Sequence, residues 1–280
     1  MMHLALVLAS LSLACGLRLS YQSQGTVVER WHRALISFLA PIVLLVMSAI
    51  ALLCMGPSGE MVHHWEGWSL YGLSIGFAVL ALVWLGRLSQ KGWQALRAVQ
   101  HHPLATVENY RCRLLDTPLP YSAQVGFWQP ELVVSQGLVD LLDRPHLKAV
   151  LLHEQAHHHY RDTFWFFWLG WLKALTNWLP QTERLWQELL LLREIRADRW
   201  ASEYTEPLLL AESLVEVAKA PWLQMSPNAA TFSCNVVNLR MQERVEALLG
   251  QTWQSSHLSV RFWLWLMAAS LPLLIIPFHH

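Results

Sequence analysis

The chain has 280 residues, of which 54% are hydrophobic and only 14% charged, with 16 tryptophans and a formal net charge of zero. Soluble domains average roughly 25% charged residues, so this composition excludes an ordinary soluble globule and predicts an integral membrane protein. The zero balance speaks against direct nucleic-acid binding, and four cysteines without paired spacing give no disulfide framework.

In chain order, Met1 to Leu17 is apolar and uncharged, and no Lys or Arg precedes it, which predicts a retained anchor rather than a cleaved signal. Ala34 to Met55 and Trp68 to Gly86 are each close to the roughly 20 apolar residues that a 30 Å hydrocarbon core requires, as is Val260 to Phe278. Residues 1–86 are thus read as an N-terminal membrane region with three spans, 87–259 as a cytoplasmic domain and 260–280 as a C-terminal span. The loops set the orientation. Residues 18–33 carry Arg18, Arg30 and Arg33, residues 56–67 carry no Lys or Arg, and residues 87–162 are basic again from Arg87 to Arg161. The positive-inside rule then predicts a multi-pass protein of the cell (inner) membrane with both termini external.

Arg111 to Leu115, Tyr121 to Phe127 and Glu131 to Ser135 are short branched or alternating runs separated by Pro118, Pro120 and Pro130, which predicts a small antiparallel sheet with an exposed edge. Ser122, Ala123, Gln124, Val125, Gly126 and Phe127 form the edge on which an extended peptide would pair through its main chain. A hairpin that only packs on the core is the alternative. Gly137 to Leu142 then begins a short helix.

Asp143 and Pro145 start a second helix, and Leu147, Val150, Leu151 and Leu152 lead directly into His153-Glu154-Gln155-Ala156-His157. In a shuffled chain of this composition His-Glu-x-x-His appears roughly 0.04 times. The i, i+4 spacing puts both imidazoles on one helical face, where they can share a metal, with Glu154 beside it as general base toward a bound water. Thirty-seven residues after His157 the chain offers Glu194 as third ligand, in Glu194-Ile195-Arg196-Ala197-Asp198. Asp198 lies one helical turn further on, suited to orient a ligating histidine through the other ring nitrogen. Between the two motifs, 163–179 is apolar and rich in Trp. One crossing there would separate Glu194 from the histidines, and two would need roughly 40 apolar residues, so an interfacial helix is expected.

Gly126 to Leu138, Leu147 to His157 with Arg161-Asp162, Glu194 to Asp198 and Arg240 to Leu249 together resemble the membrane zinc metallopeptidases of the BlaR/MecR receptor type. The His-Glu-x-x-His and Glu-x-x-Ala-Asp patterns are similar to those of the HtpX and CAAX-prenyl endopeptidase group. The resemblance covers roughly residues 30–280 and implies an α-helical integral membrane protein with a cytoplasmic α+β zincin-like metallopeptidase domain. It implies one Zn2+ per chain on His153, His157 and Glu194, Glu154 as base, and Asp198 behind a histidine. Receptor members carry an extracellular penicillin-binding sensor with no counterpart in these residues, so β-lactam sensing by that route is not expected. The expected activity is hydrolysis of cytoplasmic or membrane-proximal proteins at the bilayer. A signal transducer that cleaves a transcriptional repressor and a non-catalytic scaffold are the alternatives. Arg240 and Arg244 either steady a transition-state oxyanion or hold the last helix to the domain.

Overall fold

The computed structural model describes residues 2–57, 64–224, 234–250 and 260–278. They are mostly helical with one small sheet. The chain divides into two compact units, one of residues 1–87, 170–190 and 253–280, the other of residues 88–169 and 191–252.

The first unit holds α1 (Met2–Leu19), α2 (Val27–Met55) and the beginning of α3 (His64–Gln100). α2 starts on a capping box in which Thr26 accepts the Glu29 N–H and the Glu29 carboxylate accepts the Thr26 N–H. α1 lies against α2 through a 2.7 Å Ser10–Ser48 hydroxyl contact and the small side chains of Ala14 and Ala40. Among the described residues two helices, α2 and the Trp65–Gln100 stretch of α3, are long and apolar enough to cross a membrane. The 37 residues of α3 span roughly 55 Å at 1.5 Å per residue, well beyond the predicted stop at Gly86. Arg87, Lys91, Gln94 and Arg97 are good helix formers, and no proline intervenes before Pro103.

Within the same unit, Trp171 donates its indole N–H to the Ala81 carbonyl (2.9 Å), Trp186 packs on Phe38, and Arg30 pairs with Glu188 at 2.8 Å. The apolar C-terminal run is not one continuous α-helix. α10 (Val260–Ala268) stops at a turn, and Leu271–Phe278 continues as a 3-10 helix. Pro272 disfavours the α conformation at Leu271 and, like Pro277, has no N–H to give a helical ladder.

The second unit contains β1 (Leu104–Val107), β2 (Tyr110–Leu115), β3 (Ser122–Val125) and β4 (Glu131–Ser135) in the order β1-β2-β4-β3. The sheet is mixed, not antiparallel throughout: β2 runs parallel to β4, while β1–β2 and β3–β4 are antiparallel. The β3–β4 hairpin turns at Gly126, whose φ of 129° suits only glycine, and seats β4 in the middle. β4 takes that place because Leu132, Val133 and Val134 are apolar enough to be buried on both faces of the sheet. β3 is left as an edge.

Ser135 ends β4 and caps α4 (Gln136–Leu141) by accepting the Leu138 N–H. Asp143 likewise caps α5 (Arg144–His159), with Pro145 in the first turn. Leu147, Val150 and Leu151 of α5 pack with Leu132, Val134 and Leu138 under the sheet. Ala149 and Leu152 pack instead with Leu210 and Leu214 of α8 (Pro207–Gln224), Ala201 of α7 (Thr182–Ala201) and Leu248 of α9 (Cys234–Leu249). Two apolar faces therefore fix α5, and the third presents His153, Glu154 and His157.

Candidate metal centre

His153 Nε2 lies 3.2 Å from His157 Nε2 and 3.3 Å from Glu194 Oε2, and His157 Nε2 lies 3.7 Å from Glu194 Oε1. Four ligands at roughly 2.0–2.1 Å around a tetrahedral zinc are roughly 3.3–3.4 Å apart, so the three side chains fit such an ion with little movement. One helical turn of α5 supplies the two imidazoles, and α7 supplies the carboxylate from its second half.

Each imidazole has its own carboxylate behind it. His153 Nδ1 is 2.8 Å from Asp198 Oδ1, and His157 Nδ1 is 2.7 Å from Asp162 Oδ2. Asp162 is hydrogen-bonded to His157 Nδ1 and Asp198 stands against His153 Nδ1, so protonation of those nitrogens would turn both Nε2 lone pairs to one point that could hold a cation. The carboxylates around this point favour positive charge there, whether carried by a proton or by a metal. Burial alone would lower the His153 pKa, but Asp198 and Glu194 push it up to about 9. Burial alone would raise the Glu194 carboxyl, yet the two histidines and Arg244 hold it well below the usual carboxylate range.

Arg244 of α9 forks onto Asp198, with Nε to Oδ2 and Nη2 to Oδ1 both at 2.8 Å, and its Nη1 is 3.6 Å from Glu194 Oε2. Of the two roles open to Arg244 on sequence, this geometry gives it a holding role behind the ligands. Arg196 pairs with Asp162 Oδ1 through one terminal guanidinium nitrogen. Arg193 places Nε and Nη2 at 2.9 and 2.6 Å from Glu194 Oε1 and lies over the Phe166 ring.

A cavity of about 320 Å³ opens at the cluster, lined by His153, Glu154, His157 and Glu194, by Ser122, Ala123 and Gln124 of β3, by Asp162, Thr163 and Phe166 of α6 (Asp162–Leu175), and by Arg193. Glu154 is 7% exposed and accepts a 2.7 Å hydrogen bond from the Ser122 hydroxyl at Oε1, while Gln124 Nε2 donates to the Glu154 backbone carbonyl at 3.2 Å. Of the six predicted edge residues, the first three line the cavity. Val125 pairs with Glu131, Gly126 makes the turn, and Phe127 packs its ring among Phe164, Phe167 and Trp168.

Sequence reasoning passed over Asp162, Arg193 and Arg196 as site residues. Asp162 stands just past the end of the motif helix, but nothing in the sequence shows that the chain turns back there. No family model, curated protein or solved structure matches the chain.

Proposed function

We propose that the chain is a membrane-anchored zinc endopeptidase, of the kind the BlaR/MecR-like motifs imply, acting on peptide bonds of cytoplasmic or membrane-proximal proteins. The observation that carries this reading is the convergence of three ligand atoms, all within 4.8 Å of one another, in the cavity that also holds Glu154 and an edge strand. His153, His157 and Glu194 would hold the metal. Zinc bound there supplies Lewis acidity toward a carbonyl and a water whose pKa falls toward ~7.

The protein's own groups account for the rest. Glu154 Oε1 is occupied by Ser122, which leaves Oε2 to take the proton of the attacking water and pass it to the leaving amine. β3 offers main-chain donors and acceptors to an extended substrate, so binding depends little on side-chain identity. Asp198 and Asp162 keep the imidazoles in the tautomer that frees Nε2. A purely structural zinc site closes with four protein ligands and has no need of a base, which disfavours the scaffold alternative. The two apolar helices support a bilayer as partner, and the loop charges support a cytoplasmic active site.

Metal analysis and hydrolysis of dye-quenched casein by the detergent-solubilised protein test the proposal. His153→Ala and Glu194→Ala are expected to lose zinc and activity together, whereas Glu154→Gln keeps zinc and loses hydrolysis. A Glu194→Ala protein with full zinc and normal cleavage would refute the assignment.

A further inference from the structure

The alternation of β3 divides its residues between two tasks. The Ser135 N–H donates to the Tyr121 carbonyl at 2.9 Å, and the Tyr121 N–H is bound by the Ser135 hydroxyl at 2.8 Å, so the main chain of Tyr121 faces β4. With Ser122 opposite Val134 and Gln124 opposite Leu132, alternation turns Ala123 and Val125 toward β4 as well. Ser122 and Gln124 consequently present their N–H and C=O to the open edge. Their side chains share one face of the strand, and both reach Glu154, one at its carboxylate and the other at its backbone carbonyl.

We infer that Ser122 is the positioning residue for Glu154, and that it couples substrate docking to base alignment, because the main chain of this one residue faces the open edge while its hydroxyl pins the carboxylate. This rests on the peptidase reading above and adds a residue to it. A glutamate has three side-chain torsions, and at 7% exposure the carboxylate has few other partners. With Oε1 held by a charge-assisted bond, the carboxylate loses rotational freedom, and Oε2 is left for the cavity that Glu154 lines. Without that bond the carboxylate rotates among orientations of which few face the water, so the loss falls on turnover. Main-chain pairing along β3 does not need the hydroxyl, so substrate affinity stays.

The test is the kinetics of dye-quenched casein cleavage by wild type, Ser122→Ala and Ser122→Thr, each with its zinc content measured. Ser122→Ala is expected to keep zinc and KM and to lose kcat by roughly tenfold to a hundredfold, the range for a hydrogen bond to a charged group. Ser122→Thr, which retains the hydroxyl, recovers most of that loss. Wild-type kcat in Ser122→Ala overturns the inference, as does a defect confined to KM, a loss of zinc, or a defect that Thr shares in full. If the zinc-loaded wild type itself cleaves nothing, the peptidase reading fails, and this inference fails with it.

Discussion

Replacing Arg244 by Met removes the guanidinium that ties Asp198 and Glu194 together while keeping a side chain of similar length. The Asp198 side chain is 1% exposed and takes both of its arginine hydrogen bonds from this residue, and Glu194 loses its 3.6 Å neighbour at the same time. Breaking a buried pair by deleting one partner costs about 3–5 kcal/mol, and here the remaining carboxylate keeps only the His153 imidazole at 2.8 Å, with no water to replace the guanidinium. At roughly 2–4 °C per kcal/mol for a domain of this size, the melting temperature is expected to fall by roughly 6–20 °C. The loss depends on metal. A cation on His153, His157 and Glu194 replaces part of the missing positive charge, so the deficit is largest in EDTA and shrinks when zinc is restored. Adding Asp198→Asn to Arg244→Met removes the stranded charge and is expected to recover part of the stability even without metal. The assay is thermal unfolding of the detergent-solubilised protein, with and without chelator. An Arg244→Met melting temperature within ~2 °C of wild type in EDTA would refute the account.

Three other expectations follow from the same geometry. A Cβ on Gly137 would stand 2.1 Å from the Pro118 carbonyl oxygen and 2.3 Å from its carbon, both backbone atoms, so Gly137→Ala is expected to cost about 1–3 kcal/mol or more in a denaturation experiment. Gln124→Pro removes a donor from the open edge, whereas Val125→Pro removes one from the β4 ladder. The first is expected to impair casein cleavage at full zinc content beyond a Gln124→Ala control, and the second to lower thermal stability; equal effects on both readouts would contradict the strand parity. Reporter fusions after residues 90 and 205 are expected to score on the cytoplasmic side and a fusion after residue 57 on the other, and a split between the first two would contradict the proposed topology.

Local signals carried much of the fold. The Asp143 cap and Pro145, with the apolar spacing through Leu152, placed the start of α5 where it lies, since each of these acts within one helical turn. β1 escaped notice because it is only four residues long, and its link to β2 is the two-residue turn Glu108-Asn109, with both φ values positive. That turn geometry is usually announced by Asn-Gly or Asp-Gly, and Glu at its first position hides it. The parallel pairing of β2 with β4 was illegible for a different reason. Hydrophobic alternation says which face a strand buries but not which neighbour it takes, and only the burial of β4 on both faces decides that.

The site divides along the same line. His153, Glu154 and His157 are legible because a helix fixes their relation whatever the rest of the chain does, and Glu194 with Asp198 repeats that logic one turn apart. Asp162 is only five residues past His157, yet a continued helix would carry it off the metal face. It returns to His157 Nδ1 because Arg161 adopts a left-handed φ of 53° and ends the helix there, and an arginine gives no advance sign of that conformation. The Ser122–Glu154 and Asp198–Arg244 contacts span 32 and 46 residues. Each joins ordinary polar residues whose meaning exists only once β3 or α9 has docked beside the motif helix. The candidate ligands are therefore set by local periodicity, and their orientation by tertiary packing. A chain could keep His-Glu-x-x-His intact and still lose function through any of the long-range partners, which is why the most informative substitutions here lie outside the motif.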